Sequence, residues 1–176
     1  VEAFSSPHYH PMSQGIALEG MRLVKDYLPR AYADGSDIEA RAHMMSAALM
    51  GATAFQKGLG AIHALSHPIG AMYHTHHGTT NAVCMPAVLQ FNKPAITGVI
   101  GRAANYIGIS GGFDGFCAYV DGLNDSLGIP KTLAGLGVKN PDIDRIVAGA
   151  LIDPSTGGNP VEMTKENTTK LLLELI

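Results

Sequence analysis

Five of the eight histidines fall between residues 63 and 77, in the stretch GLGAIHALSHPIGAMYHTHHGTTNAV. Imidazole is the commonest side-chain metal ligand and the group best suited to proton transfer near neutral pH, so this density calls for a chemical reason. His63 and His67 are four apart. On a helix they project from one face and can approach a common point, the geometry of many two-histidine metal sites. His77 follows a segment interrupted by Pro68 and Gly70, from which the chain can fold back toward the pair. Taken alone, the pair fits either a metal or catalytic role or two hydrogen-bonded interior histidines. Ala64 stands where the zinc metalloprotease signature needs a glutamate base, which argues against that chemistry. His74 and His76 lie at spacings that scatter their directions and read as polar loop residues; His8, His10 and His43 read as hydrogen-bonded or exposed. Gly58, Gly60, Gly70 and Gly78 are places where a cofactor or another backbone segment can approach without meeting a Cβ.

The elements that must carry these residues read as helices. Ile16, Met21, Val24 and Leu28 recur at near-helical period between Met12 and about Tyr32, with Pro29 as an early stop. Ser36 and Glu39 form a capping box ahead of an apolar run from Asp37 to about Phe55. Ala61 to His67 comes next, and Pro68 and Gly70 interrupt the chain beyond it. Thr79 to Asn92 is apolar but broken by Pro86, and Lys93-Pro94 closes it before a further helix from Ala95 to Ile107. Phe116, Val120, Leu123 and Leu127 share one face of a segment from about Phe113 to Gly128. Asn140-Pro141 reads as an N-cap with proline at the first helical position of a helix to about Ile152. A glycine- and proline-rich loop, Asp153 to Pro160, precedes a last helix capped near Thr164. No alternating strand pattern, repeat or low-complexity tract stands out, so the expected fold class is all-α, a multi-helix bundle.

Composition narrows the function classes. The 176 residues suit one domain able to bury its own core. Charged residues make up 15%, below the roughly one quarter of an average soluble domain, as expected of a chain with a partner surface to cover. A net charge of −3 and no Lys/Arg cluster argue against nucleic acid as a partner. Cys84 and Cys117 lack any CxxC spacing and read as reduced thiols in a cytoplasmic protein. No apolar run approaches the roughly 18 residues that span a bilayer, and no signal peptide opens the chain. Val1-Glu2-Ala3-Phe4 reads as helix interior without a capping residue ahead of it, a hint of truncation.

The run from Gly60 through His63, His67-Pro68 and Gly70 to His77-Gly78, then Asn81-Ala82 and Pro86, resembles the signature of the iron-containing (group III) alcohol dehydrogenases. Weaker similarity extends through the Glu2-Ala3 start, the Gly58-Leu59-Gly60 lead-in and the closing loop with Asn159-Pro160. The resemblance implies that residues 1–176 form the helical, metal-binding and catalytic domain of a two-domain, dehydroquinate synthase-like fold. The N-terminal nucleotide-binding domain is then missing from this chain. In that family a divalent metal is held by an Asp and three His, of which His63 and His77 match two. The other two belong to a D-x-x-x-H motif that this sequence lacks. His67 matches a histidine near the nicotinamide, which implies a catalytic, proton-transferring and cofactor-contacting role. The implied cofactors are Fe(II), with Zn(II) as the alternative, and NAD or NADP.

The function so implied is NAD(P)-linked interconversion of alcohols with aldehydes or ketones by Lewis-acid chemistry, with this chain alone inactive. A homo-oligomer is expected, since the half would expose an apolar face. Two rivals stand beside this reading. One is a glycerol dehydrogenase- or maleylacetate reductase-like enzyme on the same scaffold. The other is a stand-alone helical metal-binding or interaction module.

Overall fold

The computed structural model describes residues 1–176 and contains eight α-helices, three short 3-10 turns and no strand. The helices are α1 (Glu2–Ser5), α2 (Pro11–Ala33), α3 (Ile38–Ala54), α4 (Ala61–Tyr73), α5 (His77–Tyr106), α6 (Gly112–Ser126), α7 (Ile143–Ile152) and α8 (Lys165–Leu173). The all-α bundle read from periodicity is what forms. α2 and α3 pair as a hairpin, and α5 packs on α4 and α6, while α7 packs on α4 and α8. The largest core joins Leu65 and Ile69 of α4 to Val88 of α5, Val147 of α7 and Leu172 of α8. A second core sits between α5 and α6, built on Ile96, Ile100, Phe113 and Phe116. No helix is long and apolar enough to cross a membrane.

The prolines read as breaks are inside helices. α2 runs through Pro29, α4 through Pro68, and α5 is one 30-residue helix through Pro86 and Pro94. A helical proline lacks the N–H that would pair with the carbonyl four residues back, so a continuous helix must find that carbonyl another partner. For Pro86 the carbonyl is that of Ala82, and Asn124 Nδ2 of α6 donates to it at 3.0 Å. Pro29 and Pro94 sit on exposed sides, open to water. At Pro68 the ring packs against Gly149 of α7, where a Cβ would lie 2.9 Å from the proline Cβ. Tertiary contacts thus override the local stop signals.

Two caps also differ from the sequence reading. Asp37, not Ser36, caps α3 by accepting from Ala40 N at 2.9 Å, while Ser36 turns to Asp34. Asp142, not Asn140, caps α7 through Arg145 N at 3.1 Å. A carboxylate accepts more strongly at a helix N-terminus than either rival side chain. The cap of α8 is as expected: Thr164 and Asn167 form a reciprocal capping box. Cys84 is buried and Cys117 half-buried, both unpaired, and burial raises their thiol pKa values to about 12 and about 11. Such thiols are poor nucleophiles near neutral pH. The outer side of α3 exposes Ile38, Met45 and Leu49.

Candidate metal and catalytic site

The histidine cluster is built on the start of α4 and its return into α5. α4 begins after Gly60, which offers no side-chain cap of its own. Its free N–H groups are satisfied from elsewhere in the chain. Asn159 Oδ1 accepts from Ala61 N at 3.0 Å, and Glu2 Oε1 from Ile62 N at 2.7 Å. A Cβ at position 60 would sit 2.8 Å from that Asn159 oxygen, so the close approach foreseen for glycine here has a definite cause. No such crowding surrounds Gly70 or Gly78, where a Cβ would stand 3.8 and 3.4 Å from the nearest atoms. Asn159 is itself pinned by reciprocal amide bonds with buried Asn92, at 2.8 and 2.9 Å, and by donation to Val161 O. These buried amides fix where α4 starts, and hence where its histidines point.

α4 ends at His74, which adopts left-handed backbone geometry with φ of 55°, and His76 caps α5 by accepting from Thr79 N. The reversal occurs at this turn rather than at Pro68-Gly70. It brings His77, first residue of α5, back beside His63 and His67. Ring centroids are 5.6 Å apart for His63–His67, 5.3 Å for His63–His77 and 5.6 Å for His67–His77. The three residues singled out from the sequence therefore meet. His74 and His76 serve the turn instead, His10 caps α2, and His43 stacks on Tyr27.

Each α4 histidine has a carboxylate on Nδ1. His63 Nδ1 meets Glu2 Oε2, and His67 Nδ1 lies 2.8 Å from Asp153 Oδ2. A carboxylate only accepts, so it holds the ring proton on Nδ1 and leaves the Nε2 lone pair free. The amide of Asn81 reports where two such lone pairs point: its Nδ2 donates to His77 Nε2 at 3.1 Å and to His63 Nε2 at 3.4 Å. Its Oδ1 is buried without a partner. Burial first, then the nearby His63, His67 and His76, hold the His77 imidazole below its usual pKa, which favours its neutral form. Two imidazole nitrogens aimed at one point are donor chemistry that Fe(II) and Zn(II) accept once the rings are deprotonated there. No three His, Cys, Asp or Glu side chains of the chain are grouped to hold an ion by themselves.

Beside the cluster lies a largely apolar cavity of about 320 Å³ between α2, α3, α5 and α6. It reaches His63, Asn81 and Glu2 but not His67 or His77, so cavity and histidines adjoin rather than coincide. Tyr119, whose hydroxyl is buried without a partner, is on its wall.

Sequence reasoning missed the roles of Glu2, Asn81, Asp153 and Asn159. Glu2 and Asp153 stand 61 and 86 residues from the histidines they hold, beyond any local spacing signal. Only the resemblance at Glu2-Ala3, Asn81-Ala82 and Asn159-Pro160 touched three of them.

Over residues 1–176 the chain matches the model of the Fe-containing alcohol dehydrogenase family, C-terminal. It is 40% identical over 181 residues to a 4-hydroxybutyrate dehydrogenase of Cupriavidus necator, covering 98% of this chain and 47% of that enzyme. Over 180 residues it is 34% identical to an NAD-dependent methanol dehydrogenase of Bacillus methanolicus, with the same coverage of 98% and 47%. The fold superposes on a crystal structure of 1,3-propanediol oxidoreductase with a TM-score of 0.93 at 30% identity, over 99% of this chain and 48% of that one. The chain thus spans about half the length of the relatives it matches. It belongs to the Fe-containing alcohol dehydrogenase family, of which it represents the C-terminal part.

Proposed function

We propose that residues 1–176 are the metal-binding and catalytic half of an NAD(P)-linked, metal-dependent alcohol dehydrogenase that interconverts alcohols with aldehydes or ketones. The observation that carries this reading is the convergence of His63 Nε2 and His77 Nε2 on one amide nitrogen of Asn81. His63 and His77 are two ligands of a divalent ion, Fe(II) or Zn(II), and in the proposed enzyme the nucleotide-binding half completes the ligand set. When bound, the ion would supply Lewis-acid stabilisation of negative charge on the substrate oxygen, and a nicotinamide cofactor would supply the hydride acceptor.

The chain's own residues do the rest. Glu2 orients His63 and fixes its ring proton away from the metal position. His67 lies next to both other rings with Nδ1 committed to Asp153; it would face the nicotinamide end of the cofactor and would accept the hydroxyl proton at Nε2. Asn92 and Asn159 keep the start of α4 rigid. A nucleotide-binding half supplies the dinucleotide site, and the exposed Ile38, Met45 and Leu49 of α3 support association with that half or with a second copy.

The test joins this chain to the other half of the C. necator enzyme and measures metal content and turnover. His63→Ala and His77→Ala are expected to lose metal and activity together. His67→Ala is expected to keep metal but lose about 10²-fold or more in turnover. Unchanged metal content in the first two variants contradicts the ligand assignment. Loss of metal in the third turns His67 into a ligand.

A further inference from the structure

The bond between His67 and Asp153 joins unequal partners. The His67 side chain is 43% exposed and Asp153 only 11%. Asp153 does not move freely: its Oδ1 accepts from Ser155 N at 2.8 Å, as the cap of the 3-10 turn Pro154–Gly158. That turn is tied to the end of α7 by Thr156 Oγ1, which donates to Ala150 O at 2.6 Å. Burial pushes the Asp153 carboxyl up, but the Ser155 N–H, His67 and the Ser155 hydroxyl outweigh it and keep the group below its usual value. It is therefore a carboxylate near neutral pH and can only accept from His67 Nδ1. The lone pair of the neutral ring then lies on Nε2. The ring plane is set as well, for His67 stacks on His77 with 14° between planes.

We propose that Asp153 is a positioning residue for His67, holding it in the Nδ1–H tautomer and in the plane that keeps Nε2 open as a proton acceptor beside His63 and His77. The proposal rests on the proton-transfer reading of His67 given above. It treats the turn after α7, far from α4 in sequence, as part of the reacting site.

Asp153→Asn provides a test that leaves the fold in place. The asparagine carbonyl can keep the bond to Ser155 N–H, and its NH2 group must then face His67 Nδ1. A donor there forces Nδ1 to accept, which moves the ring proton to Nε2, the wrong tautomer, as in the comparable serine protease substitution. Long-range ¹H–¹⁵N correlation spectra of the labelled 176-residue chain at about pH 8, above the histidine range, report the tautomer directly. The His67 signals are assigned by their loss in His67→Gln. Wild type is expected to show Nδ1–H, Asp153→Asn Nε2–H, and Asp153→Glu a return to Nδ1–H. In the two-domain chimera, Asp153→Asn is expected to lower kcat by about 10²-fold with KM little changed, and Asp153→Glu to recover most of it. A persistent Nδ1–H form in Asp153→Asn overturns the proposal. So does a flipped tautomer with normal kcat where His67→Gln has lost it. If the tautomer flips and both variants keep normal kcat, the positioning holds and it is the proton-transfer role of His67 that falls.

Discussion

Glu2 acts on two neighbours at once, accepting from the Ile62 N–H with one oxygen and holding His63 Nδ1 with the other. Replacing it by glutamine keeps the size and one acceptor but sets an NH2 group against the imidazole. The ring proton is then driven onto the nitrogen assigned to the metal. Glu2→Gln is expected to weaken Zn(II) or Fe(II) binding about 10- to 100-fold by calorimetry, with helix content by circular dichroism unchanged; equal affinity would show that Glu2 serves only to cap α4. Asp153 provides the pH dependence. Its folded-state pKa lies below the ordinary carboxyl value of 3.8, so its stabilisation is complete above that value and is lost as pH falls through the lower folded one. Asp153→Ala is expected to cost about 1 kcal/mol near neutral pH, from the lost cap. Urea midpoints of the two proteins should converge as pH drops below about 4, and a gap that stays constant into acid would remove the charge from the explanation. That three histidines meet was legible because their types and spacing are local. Their carboxylates were not, because the chain brings them in from 61 and 86 residues away.

At the scale of elements, the continuity of α5 is the feature that periodicity missed. Pro86 and Lys93-Pro94 carry strong stop signals, and nothing within the helix answers them. For Pro86 the compensation comes from α6, where Asn124, 42 residues beyond Ala82, donates to the Ala82 carbonyl that the proline leaves free. Asn124→Leu removes that donor at similar size and leaves a half-buried carbonyl unpaired. The expected loss is about 1–3 kcal/mol by thermal or urea unfolding, and a variant as stable as wild type would mean that water already serves Ala82. α4 shows the same logic at Pro68, where Gly149 of α7 makes room for the ring. Element types and most helix cores were legible from apolar period and glycine punctuation. Exact ends were not, since Asp37 and Asp142 outcompeted the caps read at Ser36 and Asn140.

At the scale of the whole molecule, the bundle gathers the side chains of one site from both ends of the sequence: Glu2 at the start, the three histidines in the middle, Asp153 and Asn159 near the end. The chain still offers only two imidazole nitrogens that converge, and its relatives are about twice as long. Under the proposed function the remaining ligands lie in the other half, and the expectation is that metal binds well only when both parts are present, since each missing ligand removes affinity. The all-α class was legible in apolar periodicity along the chain and the family in one histidine-rich stretch; the cavity beside it and the amide network behind it depend on packing that no single stretch encodes. The most direct measurement is calorimetric affinity for Zn(II) and Fe(II) of this 176-residue chain beside its chimera with the other half of the C. necator enzyme. Weak binding by the chain, tight binding by the chimera and loss of that tight binding in His63→Ala and His77→Ala are the predicted results. Equally tight binding in both proteins would contradict the account and favour a self-sufficient histidine metal site.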